Sequence, residues 1–410
     1  MNHHDNQARQ PDAPPTTAHR DAFVEMGMGA LQRSLARVGA AENLASEHER
    51  VQAWHLLSYV LNVDAAWPLV RDLLLALAPQ MEQTGQREDW LRYLERGVAR
   101  SRELDDVPGE AGLCLYLGNL YWLISDFPTA AEWLGASAER FENCGDAHGQ
   151  ARALNRWAYV AYLQQQYDVA NERIRSALAL LAEDDLERAM CDFVLGMIAI
   201  DHENWQTAEA YHRKTLELRQ LHGDRRGIAI SLQNIGYAVR GQGKLTEAVE
   251  YFESALAMIA EIGDPFNEAI MQMNLGCVYL NDKPQQALEI FIDSEDKFNN
   301  LHNELFAAKV YTNKGLAYLA LHDWKNAEQS FLYSIELYKE VGNAGLRLNS
   351  VDGLGMTYIA SGEHGKAVQV LEDALAELDY IGDVPNYNYL FESLNKHLHE
   401  AKRKRGATNV

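Results

Sequence analysis

Residue types that can do chemistry occur along the whole 410-residue chain, but few stand at a spacing that chemistry can use. The segment GYAVRGQGKLT at 236–246 superficially suggests a phosphate-binding loop. Such a loop needs Gly, four residues and then Gly-Lys-Ser/Thr after a strand, so that amides cradle phosphate and the hydroxyl holds magnesium. Ala238 stands where the first Gly is required and Leu245 where the hydroxyl is required, so the segment reads as a turn. His202, His212 and His222 are ten residues apart, and His397 and His399 lie on opposed sides of a helix, so neither set has the spacing of a metal pair. Cys114, Cys144, Cys191 and Cys277 are isolated, and no Gly-x-Ser-x-Gly elbow occurs. We therefore expect no catalytic residue, no metal and no cofactor. What remains is hydrogen bonding and charge. Asn234, Asn274 and Asn313 recur at intervals of 40 and 39 residues, and Arg152 and Arg156 share one helical face. An asparagine amide both donates and accepts, and guanidinium pairs suit carboxylates.

The background against which these residues act is that of a folded protein, 47% hydrophobic and 23% charged. With 37 Lys and Arg against 59 Asp and Glu, the net charge of −22 repels phosphate backbones and anionic membranes. Neither nucleic acid nor a membrane is an expected partner. No apolar run reaches eighteen residues and the N-terminal segment is polar, so we expect no span and no signal peptide. Unpaired cysteines suit a reducing, cytoplasmic setting. The basic run KRKR at 402–405 reads as favourable charge at a helix C-terminus.

The elements that must position these groups follow from a strong internal repeat. A small residue inside an apolar run falls at Gly118, Ala158, Gly196, Gly236, Gly276, Gly315 and Gly355, with gaps of 40, 38, 40, 40, 39 and 40 residues. A second follows at Ala130, Ala170, Ala208, Ala248, Ala287, Ala327 and Ala367. Around them, residues such as Leu232, Ile235 and Val239, then Phe252, Ala255 and Ile259, keep helical spacing on either side of a polar break. Each unit is thus two antiparallel helices that cross closely at the small residues. Gly-Asp or Gly-Asn pairs, as at 145–146, 223–224, 263–264, 342–343 and 382–383, stop one helix and cap the next. The predicted organisation is a disordered segment at 1–20, leading helices and degenerate repeats at 21–110, seven units at 111–383, and a capping helix with a basic tail at 384–410.

Small residues at positions 8 and 20 of each unit, apolar or aromatic residues at 11 (Tyr121, Tyr279, Tyr318, Tyr358) and Phe at 24 (Phe252, Phe291, Phe331) resemble the tetratricopeptide repeat. The long period with its Gly-Asp turn is similar to that of Pins-type polarity adaptors and of the sensor arrays of STAND signalling ATPases. The resemblance implies an all-α, right-handed superhelical solenoid whose first helices line a concave groove. It places Asn234, Asn274 and Asn313 at position 6, facing that groove, with Gln233, Tyr237, Arg240 and Lys309 beside them. Further up the array it places Asn119, Arg152, Asn155, Arg156 and Tyr159. The asparagines can hold a peptide backbone or bridge neighbouring units; the arginines can take an acidic peptide or chain terminus, or bridge to Glu on adjacent helices. The implied function is protein-protein interaction, as an adaptor that binds a protein or extended peptide, or alternatively as a regulatory sensor that controls a separate effector chain.

Overall fold

The computed structural model describes residues 17–40, 45–84, 87–124, 126–301, 303–382 and 387–408. Among these residues the chain is α-helical, apart from turns and a short 3-10 element at Asp64–Ala66, and contains no strand. Four helices lead: α1 (Thr17–Ala40), α2 (Glu47–Val60), α3 (Trp67–Thr84) and α4 (Arg87–Glu103). Seven helix pairs follow: α5 (Val107–Leu123) with α6 (Phe127–Asn143), α7 (Ala147–Leu163) with α8 (Tyr167–Leu180), α9 (Arg188–Asp201) with α10 (Trp205–Leu221), and α11 (Arg225–Gly241) with α12 (Leu245–Ile262). The last three are α13 (Pro265–Tyr279) with α14 (Pro284–Asn300), α15 (Glu304–Ala320) with α16 (Trp324–Glu340), and α17 (Ala344–Ser361) with α18 (His364–Ile381), before a final helix, α19 (Tyr387–Thr408). Of the segment expected to be disordered, residues 1–16 lie outside the described residues and 17–20 open α1.

The small residues do what their spacing suggests, with one refinement. The notch left by the missing side chain is filled by the residue at position 24 of the same unit rather than by bare backbone. A Cβ on Gly118 would stand 2.4 Å from Leu134, one on Gly276 2.6 Å from Phe291, and one on Gly355 2.7 Å from Leu371. Between units, Gly145, Gly223, Gly263 and Gly342 adopt positive φ, which costs glycine nothing. The Asp or Asn that follows then accepts from the backbone N–H three residues on: Asp146 from Gly149 at 2.8 Å, Asp224 from Gly227 at 2.9 Å, Asp264 from Asn267 at 3.1 Å and Asn343 from Leu346 at 3.0 Å. Each such cap contributes about 1 kcal/mol and fixes where the next helix starts.

The apolar core runs along the array as a series of buried clusters joined through half-buried residues such as Tyr121, Tyr279 and Tyr318. Leu57, Leu73, Leu77 and Trp90 of the leading helices join Leu113 and Leu117 of α5, so these helices pack directly onto the first pair. At the other end Leu390, Leu394, Leu398 and Ala401 bury the inner face of α19 against α17 and α18. Tyr389 and Phe391 flank that stripe and are exposed. Asp352 of α17 pins the capping helix, accepting from Ser393 at 2.6 Å and pairing with His397 at 2.7 Å. Among the described residues no helix is long and apolar enough to cross a membrane.

Candidate functional site

Interactions between non-adjacent pairs reveal which face is the inner one. Asp201, at the end of α9, and Lys309, in α15, feel each other's charge although two complete pairs separate them in sequence. Tyr162 of α7 senses Tyr237 of α11, and Glu82 of α3 senses Arg226 of α11. Apart from Glu82, which enters from the leading helices, all of these residues stand on the first helix of a pair. Successive first helices also pack on one another, α5 on α7, α7 on α9, α11 on α13, α13 on α15 and α15 on α17, so the array curves with its first helices on the inner face.

Solvent is poor on this face. Burial raises the carboxyl pKa of Asp201 even though Tyr167 donates to it at 2.9 Å, and burial lowers the ammonium pKa of Lys309 despite the opposing carboxylate. The same cause pushes the Tyr159 hydroxyl up to about 12. Acid, base and phenol all shift towards their neutral forms, which is the signature of a low-dielectric surface. Tyr159 stands at the centre of an aromatic wall. Its ring is edge-on to Trp122 at 5.3 Å and lies 6.0 Å from Tyr162 and 5.7 Å from Phe193.

The three asparagines lie in register on α11, α13 and α15. Asn234 and Asn274 are buried, at 5% and 7% exposure, and Asn313 is half-buried. No side-chain hydrogen bond joins any of them to another described residue, and the Asn234 Nδ2 is buried without an acceptor. Beside them, Gln233 is buried, Arg240 lies 4.5 Å from the centre of the Tyr237 ring, and the Lys309 ammonium is 4.5 Å from the centre of the Phe306 ring.

The second group is differently placed. Asn155 is fully buried, donates to the Glu187 backbone carbonyl at 2.9 Å and its carboxylate at 3.3 Å, and accepts the Cys191 thiol at 2.9 Å. It is a structural tie rather than an available groove amide. Arg152 lies 3.7 Å from Glu187, the bridging arrangement that its sequence position left open. Arg156 donates to the Met190 sulfur at 3.2 Å, and Asn119 donates to Glu82 at 2.9 Å. Glu82 accepts from Asn119 and senses the charges of Arg152 and Arg156, while Asn234, Asn274 and Asn313 stand on first helices further along.

Sequence reasoning missed Glu82, Glu187, Asp201 and Arg226. Asp201 and Arg226 stand at the ends of first helices and could have been found by extending the groove register to those ends. Glu82 lies in helices without small-residue anchors, and Glu187 in the irregular connection 181–187, so no register pointed to either. Among the described residues no group of three His, Cys, Asp or Glu side chains could hold a metal ion.

The sequence pattern of the tetratricopeptide repeat matches residues 187–261 and 306–376. No curated protein matches the sequence. Several solved structures share the fold. A Rap protein complexed with competence and sporulation factor is 15% identical, with a TM-score of 0.58 over 93% of this chain and 99% of that one. A plasmid-borne Rap conjugation gene regulator in complex with a Phr peptide is 14% identical, with a TM-score of 0.53 over 93% and 96%. Aspartyl phosphate phosphatase F from Bacillus subtilis is 10% identical, with a TM-score of 0.51 over 96% of each chain. At these identities the likeness establishes the fold and nothing finer.

Proposed function

We propose that this array, in which residues 187–261 and 306–376 match the tetratricopeptide repeat, binds an extended peptide or a segment of another protein in its inner groove. The observation that carries this reading is the row of Asn234, Asn274 and Asn313, which the fold holds in register and which have no side-chain hydrogen bond to another described residue, the Asn234 Nδ2 being buried as well. A buried amide without a partner costs about 1–3 kcal/mol, which a ligand that supplies the missing bond recovers. Successive units stand about one helix diameter apart, roughly 10 Å, and an extended strand advances about 3.3 Å per residue. One asparagine therefore meets every third residue of a peptide and can hold its backbone without reading its side chains. The dry aromatic wall around Tyr159 offers purchase for apolar side chains. That two of the similar folds were solved as complexes, one with a Phr peptide and one with competence and sporulation factor, adds support.

The adaptor role follows from binding alone. The sensor role gains support from the Asp201–Lys309 interaction, since a ligand that comes between these charges acts on the curvature of the array. X-ray scattering with and without ligand separates a fixed groove from one that changes pitch.

The test is selection of random peptides displayed on phage against the wild-type protein and against the triple variant Asn234→Ala, Asn274→Ala, Asn313→Ala. Wild type should enrich a peptide family that the variant binds at least tenfold more weakly, while the melting temperature stays level or rises, because Ala is the better helix former. Equal binding by both proteins, or a large loss of stability in the variant, would overturn the reading.

A further inference from the structure

Away from the groove asparagines, on the rim where first helices turn into second ones, the last two pairs enclose a cleft of about 560 Å3. That lies within the range of about 300–1,000 Å3 typical of small-ligand sites. Trp324 and Glu328 of α16 and Thr357 and Tyr358 of α17 line it, with His322 in the turn before α16 and Glu363 just ahead of α18. None of the three asparagines does, so its occupant is independent of the peptide reading.

An earlier junction holds the same parts in a closed form. Trp205 and Glu209 stand nine and thirteen residues after the anchor Gly196, as Trp324 and Glu328 do after Gly315. Trp205 lies against Gly241 of the next pair, where a Cβ would clash with the indole. The Glu209 carboxylate is filled from within the chain. Arg213 holds one oxygen through Nε and Nη2, at 2.8 and 2.6 Å, and the Gln242 amide donates to the other at 2.7 Å.

Counted from the anchors of the last two pairs, Ala360 replaces Gly241, Leu332 replaces Arg213 and Ser361 replaces Gln242. The Ala360 methyl denies Trp324 the position that Trp205 takes, and the junction stays open. Glu328 keeps one donor, the Tyr358 hydroxyl at 2.7 Å on Oε1, and among the described residues it pairs with no Lys, Arg or His. Its second oxygen is unspent. The field in the cleft is negative: after burial itself, the charges of Glu328 and Glu363 push the Tyr358 hydroxyl well above its ordinary range. One wall already holds a cation, since the Lys366 ammonium pairs with Glu363 and lies 5.1 Å from the centre of the Tyr358 ring. On the other wall Trp324 has only the His322 ring, edge-on at 5.0 Å.

We propose that this cleft binds a guanidinium group, which stacks on Trp324 and donates to the second oxygen of Glu328, in the role that Arg213 plays at the earlier junction. A guanidinium suits the cleft better than an ammonium because it is planar and weakly hydrated, lies flat on an indole and still directs N–H groups at a carboxylate. An arginine side chain of another protein and a free guanidine compound carry the same chemistry, and the test separates them.

Three probes are titrated at low ionic strength, where the ion pair is least screened. Nα-acetylarginine amide stands for a side chain in a polypeptide, agmatine for a free guanidine compound, and Nα-acetylcitrulline amide is the neutral isostere. The readout is the indole N–H resonance of Trp324 in isotopically labelled protein, identified by its loss in Trp324→Phe. Both guanidinium probes should shift it saturably at millimolar concentration, and the citrulline probe should not. Glu328→Gln should weaken them about tenfold, the loss expected for a hydrogen bond to a charged group. Leu332→Arg supplies the guanidinium from within the chain and should abolish the shift while raising the melting temperature. Ala360→Gly lets the indole close down and should weaken binding. Nα-acetylarginine amide binding at least as tightly as agmatine assigns the cleft to a partner's arginine; weaker binding assigns it to a free compound. An unmoved Trp324 resonance, an equal response to the citrulline probe, or full binding by Glu328→Gln overturns the proposal.

Discussion

His212 is the residue whose replacement should change this protein's behaviour most informatively. It stands in α10 four residues after Ala208, where α12, α14 and α16 carry Phe252, Phe291 and Phe331. The imidazole is fully buried in the Gly196 notch, where a Cβ would stand 2.5 Å from the ring, and neither nitrogen has a partner. Burial, with Arg219 adding like-charge repulsion, lowers its pKa from 6.5 to about 3. The unfolded chain accepts a proton near pH 6.5 that the folded chain refuses, so stability is intact at neutral pH and falls as the pH drops from 6.5 towards 3. Each pH unit in that window is worth about 1.4 kcal/mol, so the loss reaches about 2 kcal/mol at pH 5. His212→Phe should abolish this contribution. At pH 7 it should also stabilise the array by about 1–3 kcal/mol, by removing unpaired buried nitrogens from a notch that elsewhere accepts a phenyl ring. Urea midpoints at pH 7 and pH 5 for both proteins provide the assay, because acid effects of the carboxylates cancel in the difference. Parallel pH dependence in the two proteins, or a less stable variant at pH 7, would refute the reasoning.

Gly276→Leu should cost at least the 1–3 kcal/mol of an overpacked core, because even a Cβ there meets Phe291 at 2.6 Å, whereas Lys244→Leu in a turn should cost much less; melting temperatures of the two variants make the comparison. Asp352→Ala should leave Ser393 and His397 without their shared acceptor and loosen the cap by about 1–3 kcal/mol, seen in hydrogen exchange as faster opening of α19 than of α15.

Much of the architecture was legible because each unit repeats the same local instructions. A small residue, a filler four positions after the second small residue, and a Gly-Asp turn recur every 38 to 40 residues, and each acts within one helix pair or the next. The register of Asn234, Asn274 and Asn313 was legible in the same way, since it needs only the repeat period, and the three stand on the first helices α11, α13 and α15. What the sequence did not disclose depends on distances between units that are remote along the chain. Glu82 meets Arg226, and Asp201 meets Lys309, only because the whole array curves, and the degree of curvature is written in no single repeat. Asn155 looked like a groove amide by position. The irregular connection 181–187, a junction that lacks the Gly-Asp signal, brings Glu187 back over it and spends its donors.

The central claim is that a peptide lies along the inner face, and site-specific photo-crosslinking tests it most directly. A benzophenone amino acid placed at Tyr237, on α11 in the groove, is compared with one at Leu332, which is exposed at 44% on the second helix α16. With a peptide obtained by selection, the account predicts crosslinks from Tyr237, competed away by excess unlabelled peptide, and none from Leu332. Crosslinks from Leu332 with none from Tyr237 would place the ligand on the outer face and contradict it.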